Sequence, residues 1–316
     1  MAGEEPICVH ISIECPIEYT VYGYRPSLWV NTLLVSLFTI ALFANIWLGI
    51  RFRIRAYAIV LALACLAQIV GYGARIGMYF LPFNAIPFQA QVCCLIIGPA
   101  FNSAAMYLML KYIVTLFGSE WSLLKPKLYT IIFIGADIVS LVLQAAGGGI
   151  AATTAIGDDD MLNLGNSIMM AGIAFQVVTL SVFALLATAF CIRRVRAVKS
   201  YPLNGNALKT WQGARFRWFV CGLFTAFLTI YIRCVYRIAE MRGGWGNKLM
   251  KEQIPFILLE GLMILIATLA QTILHPGPFF PAFTNKECRL DTLDSCTELP
   301  IVPKYTVVDI LVDFMQ

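Results

Sequence analysis

Six ionisable side chains stand inside otherwise apolar stretches: Arg75, Asp137, Arg233, Arg237, Glu240 and Glu260. A charge turned toward lipid costs roughly 2.5–3.5 kcal/mol on insertion scales, so such residues turn inward and find partners. Three arginines against three carboxylates balance. The chemistry on offer is recognition by charge. Carboxylates attract an ammonium head group, arginines hold the carboxylates ionised, and apolar walls accept a hydrocarbon tail. The same six residues also suit an ion-pair network that fixes helix register. The two roles are compatible.

Spacing joins further polar residues to these six. Gln68, Tyr72, Arg75 and Tyr79 follow one helical face, and so do Asp137, Ser140, Gln144 and Gly148. Tyr236 lies among Arg233, Arg237 and Glu240, while Thr268, Gln271 and His275 continue from Glu260. Asn102 can face the same interior. The candidate ligand-binding or structural set is therefore Gln68, Tyr72, Arg75, Asn102, Asp137, Gln144, Arg233, Tyr236, Arg237, Glu240, Glu260 and Gln271. Asp137 is expected near mid-membrane and the other charges in the outer half. Lys111 is expected to snorkel to the interface.

The elements that position this set are membrane helices. The 316 residues are 59% hydrophobic and 13% charged, with a mean hydropathy of +0.77. Soluble domains carry about 25% charged residues, so the apolar surplus here must face lipid. About 20 apolar residues cross a bilayer as a helix. Seven segments qualify, near 27–50, 56–80, 90–117, 128–150, 166–192, 217–240 and 254–275. The expected fold is an all-α membrane protein, a bundle of seven transmembrane helices. Its parts are an extracellular segment 1–26, the transmembrane domain 27–275 and a cytosolic tail 276–316.

Loop charge sets the orientation. Arg51, Arg53, Arg55, Lys125, Lys127, Arg193, Arg194, Arg196, Lys199, Lys209, Arg215 and Arg217 lie on one side, twelve in all. Only Arg25, Arg242, Lys248 and Lys251 lie on the other, beside the acidic run Asp158, Asp159, Asp160. The N-terminus is expected outside and the C-terminus in the cytosol. Residues 1–26 lack the apolar core of a cleavable signal, so the first membrane helix is expected to direct targeting. Pro276 and Pro278 end the seventh helix. The tail reads as unstructured, with a possible short amphipathic helix over 306–315.

Other motifs carry less. The cysteines show no metal spacing and no CxxC occurs. Cys8 and Cys15 precede the first helix, and Cys93 and Cys94 lie near the outer end of the third. An oxidising exterior favours a disulfide between the two groups. Gly147-Gly148-Gly149 closes an apolar helix without a following Lys-Ser/Thr, which suits close helix packing better than phosphate binding. No catalytic triad, paired catalytic carboxylates or nucleotide fingerprint can be assembled, and there are only two histidines. The expectation is a protein without catalytic residues, metal or cofactor, acting on membrane lipids and not on nucleic acid.

The stripes also resemble a known family. Gly71-Tyr72-Gly73-Ala74-Arg75 is similar to the GYxxR of the fungal lipid-translocating exporters, also called the resistance-to-aminocholesterol family. Ala105-Met106-Tyr107, Lys125-Pro126-Lys127 and Asp137-Ile138-Val139-Ser140 follow in order, the last running on to Gln144 and Gly147-Gly148-Gly149. Then come Arg233-Cys234-Val235-Tyr236-Arg237-Ile238-Ala239-Glu240, Glu252 and His275-Pro276-Gly277. Lys111 departs from the frequent Arg, and Glu260 stands where an Asp is common. The resemblance implies a seven-helix protein, most naturally of the plasma membrane, that protects fungi against toxic amphipathic lipids such as sphingoid bases or sterol-like amines. It fits an exporter. It also fits a receptor-like sensor signalling through the basic loop 193–217 with Trp211, Phe216 and Trp218.

The charge asymmetry makes a direct prediction. A tag at residue 2 should be labelled from outside intact cells and a tag after Gln316 should not. Labelling of both from one side would overturn the seven-helix count.

Overall fold

The computed structural model describes residues 15–17, 20, 22–153, 159–198, 203, 205–242, 249 and 251–279, leaving aside the side chains of 85, 152, 153, 159, 205 and 206. Cys8, Cys288, Cys296 and the 306–315 segment lie outside the described residues. Long apolar runs can satisfy their backbone groups in lipid only as helices or closed barrels. Here they form helices: α1 (Leu28–Phe52), α2 (Arg55–Phe80), α3 (Ala85–Phe117), α4 (Pro126–Thr153) and α5 (Asp159–Ala197). A short α6 (Gly205–Gln212) and the long α7 (Ala214–Met241) follow. Next come α8 (Gln253–Ile273) and a single turn, α9 (Pro276–Phe279). Seven of these are long and apolar enough to cross a membrane. The chain is an integral multi-pass membrane protein.

The helices exceed the sequence-based segments where polar residues extend them. α5 has 39 residues, about 58 Å at 1.5 Å per residue, so its ends stand clear of a hydrocarbon core of roughly 30 Å. α3 starts earlier than expected because the Asn84 side chain caps it, accepting a hydrogen bond from the Ile86 N–H at 2.9 Å. α6 lies within the basic stretch that was expected to be a loop. α8 carries a π-helical segment over Phe256–Leu262. Its hydropathy gives no hint of this, because a one-residue change in hydrogen-bond step leaves an apolar run apolar.

Consecutive spanning helices pack as neighbours, and α8 returns to α1 to close the ring. α3 also meets α5, α7 and α8, which makes it the central helix. Its inner face is aromatic: Tyr107 meets Phe183 at 4.7 Å and Phe133 at 5.4 Å between ring centroids. The outer surface is apolar, with Trp29, Ile50, Leu185 and Phe224 all exposed. Such a surface suits lipid contact.

α4 and α5 are held close by glycine. A Cβ at Gly147 would lie 2.5 Å from both the Gly165 carbonyl oxygen and the Met169 nitrogen. Both are backbone atoms, so nothing can swing aside. Gly148 and Gly149 face open space or distant contact. One glycine of the triplet therefore sets the helix separation, as close packing requires.

Candidate functional site

The arginines gather at the end of the bundle where the N-terminal segment lies. Glu260, in the π segment of α8, accepts hydrogen bonds at Oε1 from Arg233 Nε at 3.1 Å and Nη2 at 2.5 Å. Arg233 Nη2 also donates to the Leu95 carbonyl at 2.8 Å, which ties α7 to α8 and α3. Arg237 Nη1 donates to Glu240 Oε2 at 2.7 Å one turn along α7. All four side chains are buried. Tyr236, between them, is buried too, and its hydroxyl has no hydrogen-bond partner among the described residues.

Arg75 has a different solution. It forms no ion pair among the described residues, although it is 1% exposed. Its guanidinium lies 3.8 Å from the Phe256 ring centroid and 5.0 Å from that of Tyr22, and Nη2 donates to the Tyr24 hydroxyl at 2.5 Å. A delocalised guanidinium stacks well on aromatic faces, so π-electrons replace the expected carboxylate. Gln91 on α3 donates to the Tyr22 hydroxyl at 2.8 Å. Burial pushes the Tyr22 hydroxyl up to about 12, against the opposing pull of the Arg75 charge. The segment before α1 thus caps this end of the bundle. Neither the cap nor Phe256 could be found from charge spacing, because the partners are neutral aromatics distant in sequence.

The amides form separate links. Asn102 and Thr268 exchange hydrogen bonds at 3.2 and 3.4 Å, and Gln271 Nε2 donates to the Asn102 carbonyl at 3.4 Å, joining α3 to α8. Gln144 donates to Ser140 Oγ at 2.8 Å and to Gln176 Oε1 at 3.3 Å, joining α4 to α5. Gln68 is buried against Gly98, where a Cβ would lie within 3 Å of the amide. Tyr72 stacks on Phe38 at 5.9 Å. The twelve residues are all buried, yet they divide among several helix seams instead of lining one space.

Asp137 forms no ion pair among the described residues. It is 4% exposed, and neither carboxylate oxygen has a hydrogen-bond partner among the described residues. The expected match with an arginine fails because Arg233 and Arg237 are engaged by carboxylates and Arg75 by rings. The Tyr107 hydroxyl faces the carboxyl without closing a hydrogen bond of ordinary geometry. The Cys234 thiol approaches from α7.

Beyond this aromatic layer lies a feature that charge spacing did not signal. An apolar groove of about 600 Å³ runs between α3, α5 and α7, toward the basic end of the bundle. Met106, Leu110 and Phe117 form its floor, with Phe183, Ala187 and Phe190 on one wall and Phe216, Leu223 and Phe227 on the other. Cys191, Cys221 and Phe224 at its lips are exposed on the lipid-facing surface. Arg194, Trp211 and Arg217 mark the basic rim. Its volume lies within the range of small-molecule sites. Phe183 links it to Asp137, since that ring lines the groove and packs on Tyr107 and Phe133. The only trace in the sequence is the aromatic run Trp211, Phe216, Trp218. The first two line the groove.

One expectation is corrected. Cys93 and Cys94 are free thiols, so neither bridges to Cys8 or Cys15. Cys15 is disulfide-bonded. Geometry explains the failure. Cys93 is exposed on the outer face of α3, and Cys94 points toward Gly71 on α2.

The polar stripes, the caged arginine and the lone carboxylate all fall within residues 61–282, which match the model of the RTA1 like protein family. The chain belongs to the RTA1-like family. Among RTA1-like relatives, the sphingoid long-chain base transporter RSB1 of Saccharomyces cerevisiae is 31% identical over 81% of this chain and 73% of its own length. Protein RTM1 of Saccharomyces cerevisiae is 26% identical over 71% of this chain and 69% of its own. The lipid-translocating exporter-like protein RTA1 of Leptosphaeria maculans is 23% identical over 86% of this chain and 54% of its own. No solved structure matches this RTA1-like chain.

The Arg233–Glu260 pair yields a stability prediction. Glu260→Ala strands a buried guanidinium and should lower stability by about 3–5 kcal/mol, seen as a fall in the unfolding temperature in detergent. Arg233→Met combined with Glu260→Leu should recover most of it. An unchanged unfolding temperature for the single variant would contradict the pairing.

Proposed function

We propose that this RTA1-like protein moves cationic amphiphilic lipids, sphingoid bases above all, between the leaflets of the plasma membrane and so protects the cell from them. The observation that carries this reading is the juxtaposition of a buried unpaired carboxylate, Asp137, with a lipid-facing apolar groove. A sphingoid base is an ammonium head on a long hydrocarbon tail. The groove accepts the tail, because Met106, Phe183 and Phe227 offer it walls as apolar as the lipid chains it leaves. Asp137 accepts the head, because an ammonium supplies the counter-charge that the closed bundle withholds. A shift of the Phe183 and Tyr107 rings opens one to the other. The names of two relatives, a sphingoid long-chain base transporter and a lipid-translocating exporter-like protein, support the same class of cargo.

In this reading the arginine cluster at the capped end serves structure. Arg233–Glu260 and Arg237–Glu240 are closed pairs, and Arg75 is held by the cap. The sequence expectation gave all six charges to one head-group cavity. The proposal keeps Asp137 as the head anchor and moves the tail site to the α3–α5–α7 groove.

The test is reconstitution. Purified protein in liposomes should accelerate movement of a labelled sphingoid base between leaflets. Asp137→Asn keeps size and hydrogen bonding but removes charge, so it should cut that rate at least tenfold while expression stays normal. Cells carrying the variant should lose tolerance of the base. Saturable binding without any acceleration over protein-free liposomes would make the protein a sensor. A wild-type rate for Asp137→Asn would remove the carboxylate from the mechanism.

A further inference from the structure

We propose that binding of the cationic head expels a proton from Asp137, so that the protein exchanges one lipid cation for one proton. This rests on the function proposed above and adds its energy source. The argument starts from what surrounds the carboxyl. Asp137 is buried, and its two oxygens lack hydrogen-bond partners among the described residues. From α3 the Tyr107 hydroxyl faces it, and from α7 the Cys234 thiol lies within electrostatic reach, both neutral groups. Behind Cys234, Arg233 and Glu260 form a closed pair of zero net charge. α5 meets this face of α4 with the Gly172 carbonyl, engaged by Ser140, and the Gln176 amide, whose oxygen is engaged by Gln144 and whose nitrogen has no partner among the described residues.

A bare carboxylate in such a place would be an isolated ion in a low dielectric, with the Tyr107 hydroxyl, outside ordinary hydrogen-bond geometry, as a poor replacement for lost water. Groups so placed take up a proton instead. Asp137 without a counter-charge is therefore a neutral carboxylic acid. An ammonium head reverses the balance by supplying the missing charge at contact distance. The step balances in atoms and charge. The O–H bond of the acid breaks, the proton leaves to water, and the carboxylate pairs with the ammonium. On the more acidic side of the membrane the proton returns, the ion pair is lost and the lipid cation is released. A proton gradient alone then drives net movement of the lipid toward the acidic side, without a nucleotide site.

The linkage has a fixed sign. If the head displaces a proton, affinity must rise with pH, about tenfold per pH unit while the acid is protonated, then level off. The probe is N,N,N-trimethylsphingosine, whose fixed charge cannot titrate, so that every proton released comes from the protein. Its binding to the full chain in lipid nanodiscs would be measured by calorimetry in buffers of different ionisation enthalpy. Wild type should release close to one proton per probe bound, Asp137→Asn none, and Asp137→Glu should restore release. Binding with no proton release in wild type, or the same release from Asp137→Asn, would overturn the exchange while leaving a lipid carrier intact. No saturable binding of the probe to wild type would sink the proposed function and the exchange together. If Asp137→Asn does not fold, infrared difference spectra decide. Wild type should lose a protonated-carboxyl band as the probe binds, and an unchanged band would refute the exchange.

Discussion

The penalty for an unpaired ion in a low-dielectric interior governs the arrangement of this protein. A carboxylate or guanidinium taken from water into a helix bundle loses several kcal/mol even after relaxation, a large part of the net stability of a folded chain. The bundle meets this demand in three ways. Arg233 and Arg237 take carboxylates at hydrogen-bond distance. Arg75 takes aromatic faces and a tyrosine hydroxyl, supplied by the segment before α1 and by the π segment of α8. Asp137 takes no partner of opposite charge among the described residues.

These solutions also divide the molecule along its length. At the capped end, closed pairs and ring contacts lock α2, α3, α7 and α8 together. Toward the basic end, α5 and α7 separate enough to leave an apolar groove with exposed lips. The first arrangement resists change, because opening any one contact strands a buried ion. The second holds together only by apolar contacts, which lipid tails replace at little loss. The lone carboxylate sits at the boundary between the two zones.

Much of the fold was legible in the sequence because bilayer thickness is a strict ruler. Seven apolar runs of the right length have few other solutions, and the structure places a helix over each. The interior faces were legible too, since Gln68, Arg75, Asn102, Gln144 and Gln271 all point inward. Pairing was not. Arg233 and Glu260 are 27 residues apart, and periodicity says which face a residue occupies but not which helix meets it. Arg75 was given a carboxylate because charge counting ignores π-electrons. The groove was invisible because its walls are the same Phe and Leu that fill ordinary helix contacts. A gap between helices leaves no mark on composition. The GYxxR stripe pointed to the right family, but not to the groove between α3, α5 and α7.

The most direct measurement of the central claim is to locate a bound sphingoid base. A photoactivatable, clickable sphingosine with its diazirine in mid-chain would be crosslinked to the protein in membranes and mapped by peptide mass spectrometry. The account predicts that adducts concentrate on groove residues of α5 and α7, around Phe183–Cys191 and Phe216–Phe227, and are displaced by excess unlabelled base. Adducts spread evenly over the lipid-facing surface, or concentrated at the Arg75–Glu240 end, would contradict it.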